Sequence, residues 1–189
     1  MKIKQWNFIE PATMGAAPLQ PGGYVVRIVD VKDNYNPNDE NKCYLDLIYD
    51  IAEGPETGRF SDDWGKSHPY AHQSRQWYEG KHEGRFRHVL ECLEQSNRGR
   101  FSVANWTQRC NERELIGLEF GIVLQKLLDY DSKGNETEYL EDRGVYAAQD
   151  IRNGDFKLPE PRNKRNKTNE RIASKPADAG SIYDEDVPF

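Results

Sequence analysis

Cys43-Tyr44-Leu45-Asp46-Leu47-Ile48-Tyr49-Asp50-Ile51 is the stretch on which the fold turns. Leu45, Leu47, Tyr49 and Ile51 share one face; Tyr44, Asp46, Ile48 and Asp50 share the other. That alternation of period two predicts a strand with one buried face. Before it, Gly22-Gly23 opens a β-branched run over residues 24–31, and Asn34, Asn36, Pro37, Asn38 and Asp39 make a loop between the two strands. After it, Gly54-Pro55 turns the chain, and a third strand is expected near Arg59-Phe60-Ser61. Phe86, Val89, Leu90 and Leu93 then follow the i, i+3, i+4, i+7 spacing of an amphipathic helix, stopped by Asn97 and Gly99. A shorter helical piece precedes Leu115. Residues 120–128 and 139–147 read as two further strands, and residues 129–135, with Asp, Ser, Gly and Asn, have hairpin-loop chemistry.

The order β-β-β-α-β-β is that of an OB-fold, which binds oligonucleotides on its second and third strands and in the loops joining strands 1–2 and 4–5. The expected fold is therefore mainly β: an OB-like five-stranded barrel with one helix between strands 3 and 4, plus a disordered C-terminal tail. A small β-sandwich with a helix would give a similar string. The expected organisation is an N-terminal extension over residues 1–20 and the OB-like domain over 21–157. A disordered basic linker over 158–181 and an acidic tip over 182–189 follow.

Composition supports the division. Of 189 residues, 31% are charged, and the formal net charge is -6. Mean hydropathy is -0.94, and no window approaches the ~18 apolar residues that span a bilayer. The N-terminus, Met1-Lys2-Ile3-Lys4-Gln5-Trp6, lacks the apolar core of a signal peptide. Cys43, Cys92 and Cys110 are scattered and odd in number, which fits a reducing cytoplasm rather than a disulfide framework. Residues 157–175 carry seven Lys/Arg against two Asp/Glu, a balance of +5. Residues 176–189 carry four acids and no base, or -4, which leaves -7 on residues 1–156. With Pro159, Pro161 and Pro176 and few large apolar residues, the tail cannot bury enough surface to offset ordering entropy.

The stretch from Arg59 to Arg87 interleaves rings with cations, the mixture that single-strand binders use: rings stack on unpaired bases and Lys/Arg hold phosphates. The candidate DNA-binding residues there are Arg59, Phe60, Trp64, Lys66, Arg75, Trp77 and Tyr78. Trp64, beside Asp63 and Gly65, has the look of a loop residue, and Phe86 that of a core residue. Arg27 and Tyr44 on the first two strands, Tyr35 and Lys42 in the first loop, and Lys126, Tyr130 and Lys133 around the last hairpin complete the set. Each ring has an ordinary packing role as the competing reading.

Metal and catalytic chemistry find little purchase. His68-x3-His72 and His82-x5-His88 match no common zinc module, and the cysteines are isolated. There is no Gly-rich phosphate loop, G-x-S-x-G or H-E-x-x-H. Glu53, Glu56, Asp62 and Asp63 could serve a metal-dependent nuclease, but 32 acids make chance clusters cheap. The expectation is a non-enzyme with no cofactor.

The terminus, Asp184-Glu185-Asp186-Val187-Pro188-Phe189, resembles the acidic tip of bacterial single-stranded-DNA-binding proteins. The resemblance implies that the Phe ring enters an apolar pocket on replication and repair enzymes while its carboxylate and the acids meet basic residues. Val187 stands where Ile or Leu is usual, a loss of at most ~0.8 kcal/mol of burial. A second set of segments covers the body: Pro21-Gly22-Gly23-Tyr24, Tyr49-Asp50-Ile51-Ala52-Glu53-Gly54, Glu94-Gln95-Ser96-Asn97, and Asp150-Ile151-Arg152-Asn153-Gly154-Asp155-Phe156. Over residues 22–158 these resemble a phage-encoded family long filed as a domain of unknown function, found in replication and recombination modules. The resemblance implies sequence-tolerant binding of single-stranded DNA in the cytoplasm of a bacterial host, with replication or recombination enzymes as partners and no membrane. Homo-oligomerisation is left open. A protein–protein adaptor is the alternative, and a nuclease the second. The body's -7 demands a segregated basic face if DNA is the ligand.

Overall fold

The computed structural model describes residues 19–39, 42–61, 72–78, 82–130 and 134–164. β1 is Gly22–Asn34, β2 Tyr44–Ile51 and β3 Gln73–Trp77. α1 (Glu83–Ser96), α2 (Val103–Trp106) and a 3₁₀ turn (Glu112–Leu115) follow. β4 (Glu119–Tyr130) and β5 (Glu136–Tyr146) form a hairpin, and α3 (Ala148–Asn153) and β6 (Arg162–Asn163) end the described chain. The protein is mainly β: a six-stranded mixed sheet with few helices. The sheet runs β3-β2-β1-β4-β5, with antiparallel neighbours, and β6 joins β4 in parallel. It is open, with β3 and β5 at its two ends, so the ladders among the described residues do not close the sheet into the expected OB-like barrel.

β1 organises the sheet because it serves two neighbours. Gly22–Arg27 pair with β4, and Val26–Asn34 pair with β2. A register shift between Ile28 and Asp30 separates the two halves and turns Val29 outward at 47% exposure. Such a bulge bends the strand, letting one strand feed two parts of a curved sheet. β2 behaves as its alternation requires: Leu45, Leu47, Tyr49 and Ile51 are all buried. With Val26, Ile28, Phe120, Ile122 and Leu124 they form the core, which α1 covers with Val89, Leu90 and Leu93. Asn97 caps α1 and also ties it to β4. Its side-chain amide donates to Leu93 O and Glu119 O at 2.8 and 2.7 Å, and its Oδ1 accepts from Glu119 N. Among the described residues no helix is long and apolar enough to cross a membrane.

Two sequence expectations need correction. The third strand is not at Arg59-Phe60-Ser61, which lies in turns. Asp50 holds that segment against the end of β2, its carboxylate accepting from Phe60 N and from the Ser61 hydroxyl. β3 lies later, and its inward residues are Ser74 and Gln76, so hydrophobic alternation gives no sign of it. The linker expected from residue 158 is also ordered at its start. β4 outruns β1, whose ladder ends at Leu124, and leaves an unpaired edge. Residues 159–164 lie along that edge: Gln125 donates to Pro159 O, β6 pairs with Leu127 and Leu128, and Lys164 N donates to Leu128 O. Residues 1–18 and 165–189, the acidic tip included, lie outside the described residues.

The four body segments quoted above pack on one another. Gly23 and Gly121 give α3 its seat: a Cβ on Gly23 would come 2.8 Å from the Phe156 ring, and one on Gly121 would collide with Ile151. Arg152 forks onto Glu53, and the Ser96 hydroxyl accepts from Ala148 N at 2.8 Å. These residues hold the fold's closing segment to β1, β2, β4 and α1.

Candidate nucleic-acid interface

The outer face of β2 and β3 follows from register alone. Tyr44 lies opposite Trp77, Asp46 opposite Arg75 and Ile48 opposite Gln73; β1 adds Asn34 beside Tyr44 and Lys32 beside Asp46. The Tyr44 and Trp77 rings are half-buried, with centroids 4.8 Å apart and planes inclined by 54°. Arg75 sits 4.0 Å above the Tyr44 ring, a cation–π geometry. The same guanidinium forks onto Asp46, Nε at 2.9 Å from Oδ1 and Nη2 at 3.3 Å from Oδ2. Asn34 Nδ2 donates to the second Asp46 oxygen at 3.3 Å, and His82 lies 6.3 Å from Trp77, centroid to centroid. Tyr35, in the loop just beyond, is 64% exposed. Two cations, two rings and amide groups thus share one face; Asp46 neutralises Arg75, and the exposed Lys32 has no ion pair among the described residues.

The remaining candidates separate. Arg27 is exposed on β1 and bound to Glu119 at 2.7 Å, in a network with Arg152 and Glu53. Lys42 pairs with Asp39 at 2.8 Å, and that contact raises its pKa. Arg59 is largely buried against Glu56 at 2.7 Å, which removes it from an accessible phosphate track. Phe60 is 6% exposed, between Tyr49 and a stacked His72, so it belongs to the core and not to an interface. The Tyr78 ring packs on Phe86, and its hydroxyl donates to Asp33 at 2.8 Å. Phe86 itself is only half-buried, between Tyr78 and Trp106.

Lys126 and Tyr130 sit on the β4–β5 hairpin, Lys126 bound to Glu138 at 3.2 Å and Tyr130 half-buried. The registers carry that hairpin past the start of β1, to the end of the sheet opposite the β1–β2 loop. Trp64, Lys66, Lys133 and Asp184, Glu185, Asp186, Val187, Pro188 and Phe189 lie outside the described residues. Lys32, Asn34 and Gln73 join the face as well; cross-strand register places them there, and the period of two within one strand does not carry across a loop to reveal it.

On the inner side a polar contact links the two ends of the sheet. The Ser74 hydroxyl on β3 donates to Asp142 on β5, Gln76 Nε2 donates to Ser74 Oγ at 2.7 Å, and Gly144 N donates to Asp142 at 3.0 Å. Burial pushes the Asp142 carboxyl above the usual carboxylate range, against those hydrogen bonds and nearby Arg85, which lower it. The described histidines do not converge: His72 packs on Phe60, His82 lies near Trp77, and His88 Nε2 meets Val145 O at 3.0 Å. Among the described residues no three His, Cys, Asp or Glu are grouped to hold a metal ion. No protein-family model matches the chain, and no curated protein matches it.

Proposed function

We propose that this chain binds single-stranded DNA without sequence preference and without catalysis, on a partly open barrel of OB type. Supporting the barrel are a first strand shared between two neighbours, a single long helix between β3 and β4, and the Ser74–Asp142 contact between the sheet's two ends. The OB-fold is itself a partly open five-stranded Greek-key barrel that binds on strands 2 and 3. The observation that carries the ligand is the Tyr44–Trp77 ring pair with Arg75 above it, on those same strands. Rings offer every base a stacking surface, and Arg75 offers a phosphate contact. The tip, by its resemblance, recruits replication or recombination enzymes of a phage or its host.

The test is a tryptophan-fluorescence titration with unlabelled oligo-dT. With Trp6→Phe and Trp64→Phe in place, Trp106, buried with its Nε1 donating to Asn111 O, supplies a constant background, whereas Trp77 quenches on stacking. Measured by anisotropy of a labelled oligo-dT, since Trp77→Ala removes the quenching ring, Trp77→Ala and Tyr44→Ala should each cost ~1–3 kcal/mol of affinity while the domain stays folded. Full affinity in both folded variants would remove the interface from this face. Deleting Phe189 should leave DNA affinity unchanged and abolish retention of replication enzymes in a pull-down.

One observation favours the adaptor reading. Arg27, Lys42, Arg59, Arg75 and Lys126 are all ion-paired, so little free positive charge faces solvent at these positions. Salt separates the two: DNA binding weakens steeply with salt, and docking of a protein on a neutral face does not.

A further inference from the structure

Most described cations are ion-paired among the described residues; Lys32, Arg85, Arg98, Arg100, Arg113 and Lys157 are not, and Arg98 and Arg100 stand out because they are two positions apart and line one cleft. Arg98 and Arg100 are exposed, and neither has a carboxylate within ion-pair distance among the described residues. Both line a cleft of about 490 Å³ between the end of α1 and the segment from α2 to the 3₁₀ turn. Arg109 and Asn105 line it too. Its two carboxylates are engaged: Glu94 accepts from Val103 N at 3.1 Å, and Glu114 pairs with Arg109 at 2.7 Å. With Arg98, Arg100 and Arg109 set against Glu94 and Glu114, the lining carries a net charge of +1, and Arg98 and Arg100 are its two cations outside any ion pair among the described residues.

The turn that carries them is held at both ends. Asn97 is buried and bonded to Leu93 and Glu119, and its own carbonyl accepts from Arg100 N and Phe101 N at 2.9 and 3.1 Å. Phe101 is buried at the other end. Gly99 between them has φ of 78°, the left-handed conformation that lets the chain reverse so tightly. The two guanidinium groups thus project from a fixed backbone, which lowers the entropy lost when they close on a ligand. Arginine's planar fork matches phosphate geometry.

We infer that the Arg98–Arg100 cleft is a phosphate-binding site that takes the backbone of nucleic acid, as a second contact for the strand proposed to stack on Tyr44 and Trp77. This rests on the single-strand-binding reading above. α1 packs on the inward residues of β2, so the cleft opens on the helical side of the sheet, away from the outer face that carries the rings. A strand must then be long enough to pass around the sheet's edge, and short oligonucleotides reach one site only.

The experiment measures affinity for oligo-dT of about 8 and about 30 nucleotides, the shorter within one OB domain's usual footprint. The full chain is compared with Arg98→Ala/Arg100→Ala and with Trp77→Ala, at 50 and 200 mM salt. The double variant should keep its melting temperature, bind the short oligonucleotide like the parent, and bind the long one more weakly. Its salt slope for the long oligonucleotide should fall by about 1.4, two contacts at ~0.7 each, so its deficit shrinks about sevenfold between the two salt concentrations. Arg98→Lys/Arg100→Lys should restore the slope with part of the affinity. If the parent binds no DNA, the single-strand-binding reading fails. If the parent binds and the double variant matches it on the long oligonucleotide in affinity and slope, only the cleft is refuted. A lowered melting temperature with unchanged slope would make the arginines a structural end to α1, and would refute it equally.

Discussion

Asp46→Asn tests how the candidate face controls its own charge. Asp46 is nearly buried and holds the Arg75 fork at 2.9 and 3.3 Å, while Arg75 keeps 45% of its side chain in solvent. A pair with one solvated partner is worth up to ~1 kcal/mol. Asparagine keeps the shape and can still meet Asn34, so the fold should survive with a melting temperature lowered by a few degrees at most. The guanidinium then remains over the Tyr44 ring, uncompensated and free to meet a phosphate. If single-stranded DNA must otherwise break the pair to engage Arg75, removing that ~1 kcal/mol raises affinity up to about fivefold. One new phosphate contact also steepens the salt slope by ~0.7, so the gain shrinks about 2.6-fold between 50 and 200 mM salt. Anisotropy of a labelled oligo-dT at both salts measures affinity and slope together. A folded variant with unchanged or weaker binding and an unchanged slope would show that Arg75 serves the sheet and not the ligand.

Two further perturbations probe the frame. Gly121→Ala drives a methyl into Ile151 and to 3.0 Å from Ala147 O, where backbone cannot yield, so it should cost ~1–3 kcal/mol and roughly 2–12 °C of melting temperature; an unchanged melting curve would mean that α3 shifts freely. Asp142→Asn addresses pH: a carboxyl whose folded pKa lies above its unfolded value destabilises the fold when ionised, and that cost is relieved as pH falls through the folded pKa. The variant should melt higher than the parent at pH 7, with the gap closing toward about pH 4, near the unfolded value; a lower melting temperature independent of pH would show that the Ser74–Asp142 contact outweighs the burial cost.

Legibility followed hydrophobic alternation. β2 could be read residue by residue because its inward positions are apolar, and α1 because its apolar stripe has helical spacing. β3 could not, because polar Ser74 and Gln76 fill the inward positions: Gln76 donates to Ser74, and Ser74 to Asp142, 68 positions away. A contact at that separation leaves no mark on local pattern. The start of the tail failed for a related reason: residues 159–164 are held along β4 by β6 pairing, the Gln125 side chain and the Arg162–Glu141 and Lys164–Asp129 ion pairs, whose partners lie far off in the chain. Rings were recognisable as rings, but their fate depended on register. Trp77 stands opposite Tyr44 on the outer face, while Phe60, in the same ring-and-cation stretch, is folded under by Asp50.

The charge objection raised by the body's -7 takes a different form once the pairs are known. A binding face need not be rich in cations if its acids are already engaged, since what a phosphate meets is the uncompensated charge within about a Debye length, ~8–10 Å. On the β2–β3 face Asp46 answers Arg75, which leaves the exposed Lys32 beside them as the cation outside any ion pair among the described residues. At the end of α1 the cleft is positive by one charge, because three arginines line it against Glu94 and Glu114. If a strand stacks on the ring face and also reaches the cleft, as proposed, affinity should be weak for short strands and grow once the length engages both sites. A uniformly basic groove would instead bind short and long strands with salt slopes set only by the phosphates covered.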